Sequence, residues 1–74
     1  MRVVEISHEP VELYKILKFE GLVASGGEAK QVVADGYVLV NGQVETRKRK
    51  KIVSGDVIEF GDEVFRVQLD VKDA

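Results

Sequence analysis

The chain has 74 residues, 45% of them hydrophobic and 32% charged, with no cysteine and one histidine; this leaves room for one small domain over residues 1–74 and excludes a disulfide framework, a thiolate metal site and a thiol nucleophile. A domain of this size buries only about 60% of the surface its unfolded chain exposes, so recognition by a surface is expected ahead of catalysis in a deep pocket. The net charge of −2 argues against bulk coating of a polyanion, so any binding to one has to be local.

In chain order, Val3-Val4-Glu5-Ile6 reads as a β-branched strand, and Ser7-His8-Glu9-Pro10 as a turn into a helix that starts near Pro10. Leu13, Ile16 and Leu17 fall at i, i+3 and i+4, the stripe a surface helix buries, and Glu20-Gly21 ends that helix after about ten residues. Ser25-Gly26-Gly27-Glu28 forms a capping box, with the Ser25 hydroxyl on the Glu28 amide and the Glu28 carboxylate returning to the Ser25 amide. The second helix places Ala29, Val32 and Val33 on one face and stops at Asp35-Gly36.

From Tyr37 the period becomes strand-like. Tyr37 to Val40 runs into Asn41-Gly42, a strong hairpin signal, and returns through Gln43 to Thr46. After the basic run Arg47-Lys48-Arg49-Lys50-Lys51 come Ile52-Val53, a turn at Ser54-Gly55-Asp56, a strand Val57 to Phe60, Gly61-Asp62, and a last strand Glu63 to Leu69. Phe60 and Phe65 read as sheet core, and the tail Asp70 to Ala74 as frayed. The order of elements specifies an α+β domain, two short helices packed on a small antiparallel sheet. The longest apolar run, Tyr37 to Val40, is far shorter than the roughly 20 residues a bilayer requires, so a cytoplasmic protein with no membrane partner is expected.

Enzymatic constellations are nearly absent. His8 is the one imidazole and reads as a solvated turn residue; Asp62-Glu63 and Asp70 with Asp73 lack calcium-loop spacing; Gly26-Gly27 lacks the context of a nucleotide-binding loop. No catalysis, metal or cofactor is therefore expected. Residues 15–53, by contrast, hold eight basic groups against four acidic ones, while both flanking segments are acidic. Three features of this island suit a phosphate backbone. Arg47, Lys48, Arg49, Lys50 and Lys51 read equally as an exposed loop or a phosphate clamp. Ser25, Gly26 and Gly27 bring bare amides to a positive helix end, with the Glu28 carboxylate as competitor for the same place. Lys18 and Lys30 lie off the apolar stripes of their helices and are placed to face one groove.

Taken together, Ser25 at a helix entrance, Gly36-Tyr37-Val38-Leu39-Val40-Asn41-Gly42 and Val53-Ser54-Gly55-Asp56-Val57-Ile58 give the segment 17–60 a pattern that resembles the S4 RNA-binding domain. Within that family the chain is similar to short stand-alone bacterial members, which share a Ser-Gly-Gly-x-Ala-Lys segment and a basic stretch after the hairpin. Most members carry arginine after the helix-entrance serine. Here Gly26 stands there, so Lys30 and the run from Arg47 to Lys51 have to supply the charge. The resemblance implies an S4-type (αL) fold and noncatalytic, ribosome-associated binding of structured RNA, of the ribosomal or transfer class, through Lys18, Ser25 to Gly27, Lys30 and the basic run. The rival reading is a protein-interaction module, docking an acidic or ribosomal protein partner through the basic segment or an edge strand. Neither composition nor spacing fixes the oligomeric state.

Overall fold

The computed structural model describes residues 2–70. It contains β1 (Arg2–Ile6), β2 (Val11–Glu12), α1 (Leu13–Phe19), α2 (Gly26–Ala34), β3 (Val38–Val40), β4 (Gln43–Val44), β5 (Lys51–Ile52), β6 (Val57–Phe60) and β7 (Glu63–Leu69). Five strands form a sheet in the order β1-β7-β6-β3-β4, and β2 pairs with β5 in a separate two-stranded ribbon.

One face of the sheet is apolar because side chains alternate along each strand. Val4 and Ile6 of β1, Val38 and Val40 of β3, Ile58 of β6, and Phe65 and Val67 of β7 are all buried, and they share a core with Leu13, Ile16 and Leu17 of α1 and Ala29 and Val33 of α2. Phe65 is fully enclosed; Phe60 packs against the core and stays partly exposed. The helical stripes read from the sequence face the core, with Val32 of α2 only half-buried.

The α+β architecture is as expected, with a correction to the sheet, which is mixed. β1 runs parallel to β7, Val4 opposite Val67, while the other pairings in the sheet are antiparallel. A parallel pair needs a long crossover, and here everything between Ile6 and Glu63 supplies it. The first helix also starts later than expected. Val11 and Glu12 are held extended by antiparallel pairing with Ile52 and Lys51, so α1 keeps only seven residues. Asp70 is not frayed, since its amide donates to the Ile6 carbonyl at 2.8 Å; residues 71–74 of the expected tail lie outside the described residues.

The hairpin turn follows its sequence. Asn41 and Gly42 adopt φ of 53° and 82°, the left-handed pair that a two-residue turn between twisted strands requires. The return strand is shorter than expected, two residues in β4, although the Glu45 amide still donates to the Val38 carbonyl of β3 at 2.9 Å. Among the described residues no helix is long and apolar enough to cross a membrane.

Candidate nucleic-acid interface

The basic run does not form one patch. The Lys50 amide donates to the Arg47 carbonyl at 3.1 Å, which makes residues 47–50 a β-turn with Lys48 and Arg49 at its corners. Arg47 turns back on Glu45, with its Nε 2.9 Å from Oε2 and Nη2 3.1 Å from Oε1, and the Arg47 amide donates to the same carboxylate. This pairing holds the Glu45 carboxyl down at about 2, and it neutralises Arg47 locally. Arg47 and the half-buried Lys50 line a shallow recess with Asn41 and Val44 on the hairpin side. Arg49 and Lys51 lie on the other side, toward Glu12: Arg49 Nε is 3.9 Å from Glu12 Oε2, and Lys51 is opposite Glu12 in the ribbon. Glu12, bonded to Lys15 at 3.1 Å and further stabilised by the fields of Lys51 and Arg49, has its carboxyl below the ordinary value.

The turn is fastened to α1 through the backbone. The Leu13 amide donates to the Lys50 carbonyl at 2.9 Å and the Tyr14 amide to the Lys48 carbonyl at 3.1 Å. First-turn amides have no partner inside their own helix. Here the basic segment supplies their acceptors, so Lys48 to Lys51 are positioned by main-chain bonds rather than left as a solvated loop.

At the entrance to α2 the Ser25 hydroxyl accepts from the Glu28 amide at 3.1 Å, as expected. The Glu28 carboxylate, however, takes the Ala24 amide at 3.1 Å rather than that of Ser25, because Ser25 is extended (φ −151°, ψ 164°) and carries the preceding amide into reach. The Ser25 hydroxyl is thus committed to the cap. Nothing lies within 4 Å of where a Cβ on the half-buried Gly26 would stand, so a side chain at this position would meet no obstruction.

Lys30 stands one turn further along α2, and its ammonium lies 4.9 Å from the centroid of the Tyr14 ring, within cation–π range. Tyr14 therefore joins the two basic regions: its ring holds Lys30, and its amide holds the carbonyl of Lys48. Lys18 lies one turn beyond Tyr14 on α1, on the same side, and is exposed. Lys30 and the Lys48 carbonyl thus meet at Tyr14, Arg49 and Lys51 lie toward Glu12, and Arg47 and Lys50 face the hairpin instead. Tyr14 carried no assigned role in the sequence, which left it undecided between core and surface. His8 is an exposed turn residue beside the Ser7 hydroxyl, 3.3 Å from its Nδ1, and among the described residues no group of three or more histidine or acidic side chains is placed to hold a metal ion.

The family model described as the S4 domain matches residues 4–68. The chain belongs to the S4 domain family. The match reaches beyond the segment 17–60 that carries the motifs, taking in most of β1 and β7. The chain is 48% identical over 60 residues to YbcJ of Escherichia coli K12, provisionally named an RNA-binding protein, covering 81% of this chain and 86% of that one. It is 36% identical over 57 residues to RlbA of Bacillus subtilis 168, provisionally named a ribosome maturation protein, covering 77% and 80%. The solution structure of E. coli YbcJ, described as revealing an αL motif involved in RNA binding, superposes with a TM-score of 0.70 at 43% identity, covering 92% of this chain and 87% of that structure.

Proposed function

We propose that this S4 domain binds structured RNA and performs no chemistry on it, gripping phosphates with Lys18, Lys30, Lys48, Arg49 and Lys51 and with the amides of Gly26 and Gly27. The observation that supports this reading is the double attachment at Tyr14, which brings Lys30 of α2 and the Lys48-Arg49 turn to one place although they are distant in sequence. A fixed array of cations matches the fixed phosphate spacing of a folded RNA better than a mobile polybasic loop does. The match to a relative provisionally named a ribosome maturation protein favours ribosomal over transfer RNA. Gly26, where most S4 domains carry arginine, leaves the α2 entrance to bind through its backbone and shifts the charge to Lys30 and the turn.

The test is fluorescence anisotropy of a folded ribosomal RNA stem-loop against salt. If three to five phosphates are neutralised, log affinity falls against log salt with a slope of roughly −2 to −4.5. A slope near zero, or equally tight binding of a duplex DNA of the same length, contradicts the reading.

A further inference from the structure

Phe19, the last residue of α1, is 72% exposed, more than any other large hydrophobic side chain described. It lies one turn beyond Lys15, so the two share a face of the helix. Both line a half-open recess of about 440 Å3, bordered also by Ile6, Ser7, His8, Pro10, Val11 and Lys51. Lys51 is the last cation of the basic run, so the recess opens directly beside the proposed phosphate-binding surface. Around α1, Tyr14 meets Lys30 of α2 and the basic turn, Phe19 lines the recess, and Lys15 lies between them, lining the recess with its ammonium 6.0 Å from the Tyr14 ring.

We propose that this recess receives one unpaired nucleotide of the RNA bound by the basic face, with its base against Phe19; the inference rests on the RNA-binding reading. RNA-binding proteins stack splayed-out bases on aromatic rings, and an aromatic ring left largely in water beside two lysines is a surface of that kind. The volume is within the range of small-ligand sites, enough for a single nucleotide and too little for a helical stem. Glu5 and Glu12 also line the recess and repel a phosphate from its depth. The neutral base fills the interior, and its phosphate remains outside at Lys51, since Lys15 is already paired with Glu12 at 3.1 Å.

Two RNA stem-loops test this, one fully paired and one with a single bulged 2-aminopurine. Wild-type protein binds the bulged RNA about 5- to 100-fold more tightly, the range expected for stacking one base, and quenches the 2-aminopurine fluorescence. Phe19→Ala abolishes both the preference and the quenching and leaves the affinity for the paired stem unchanged; Phe19→Trp retains them. The paired variant Lys48→Gln with Arg49→Gln weakens binding to both RNAs alike. Equal binding of the two RNAs by the wild type, or a preference that survives in Phe19→Ala, overturns the inference and leaves the RNA reading standing. Failure to bind either RNA at low salt overturns both.

Discussion

The Asn41 carboxamide donates to the Asp56 carboxylate at 3.0 Å, and its oxygen accepts from the Val57 amide at 2.9 Å. Asp56 in turn accepts from the Val53 amide at 3.0 Å. The Asn-Gly turn and the Gly-Asp turn, the two sequence signatures that look like separate loops, are thus one hydrogen-bonded unit closing the end of the sheet, where β3 meets β6. Asn41 serves twice, since it also holds a left-handed conformation that most residues resist.

Asn41→Ala is expected to lose both contributions, destabilising the fold by roughly 2 kcal/mol, from two hydrogen bonds at about 0.5–1.5 kcal/mol each and the backbone strain. Thermal unfolding then shifts down by about 8–16 °C. Asn41→Gly keeps the conformation and loses only the side-chain bonds, so its melting temperature lies between those of Asn41→Ala and the wild type. Equal melting of all three removes the structural role assigned to Asn41.

Much of this was legible in the sequence, for local reasons. Leu13, Ile16 and Leu17 mark a buried helical face by spacing alone, and Asn41-Gly42 demands one turn geometry. What was not legible depends on partners far away in the chain. Val11-Glu12 becomes a strand only because Ile52 and Lys51 arrive beside it, and nothing in Pro10-Val11-Glu12 distinguishes that outcome from a helix start. The parallel pairing of β1 with β7 is nonlocal in the same way. The Glu45–Arg47 pair was missed when Arg47 was grouped with the phosphate clamp, although residues two apart in an extended segment share a side, which was the available signal.

That pair sets a pH dependence. The Glu45 carboxyl is at about 2 in the folded protein against a reference of 4.5. Its folded value is depressed, so its stabilising contribution is complete above about 4.5 and is lost as pH falls from there toward 2. Glu45→Gln should flatten the stability profile in this window and leave it unaltered near neutrality in shape. A variant whose acid limb matches the wild type shows that the pair is not formed in solution.

Salt dependence separates Lys48 and the loosely paired Arg49, 3.9 Å from Glu12, from the tightly paired Arg47, 2.9 Å from Glu45. Lys48→Gln and Arg49→Gln should each reduce the magnitude of the salt slope for RNA by about 0.7–0.9, the share of one phosphate contact. Arg47→Gln should change it less, because Glu45 already neutralises that side chain. Glu45→Gln releases Arg47 and should steepen the slope. A larger effect from Arg47 than from Lys48 or Arg49 reverses this assignment.

Amide exchange tests the attachment of the turn. The Leu13 and Tyr14 amides have carbonyl partners in the basic segment, so they should exchange at least about tenfold more slowly than the Gly26 and Gly27 amides. A glycine pair inserted between Arg49 and Lys50 should erase that protection while the amides of Ile58 and Phe65 in the sheet stay protected. Persistent protection after the insertion means another acceptor holds α1.

The most direct measurement of the central claim is an NMR titration of the labelled protein with a folded ribosomal RNA stem-loop. The largest chemical-shift changes are expected on the amides of Gly26, Gly27, Lys30, Lys48, Arg49 and Lys51 and on Lys18. Changes confined to the outward side of the sheet, at Val3, Val57 and Val64, or no change at low salt, would contradict it.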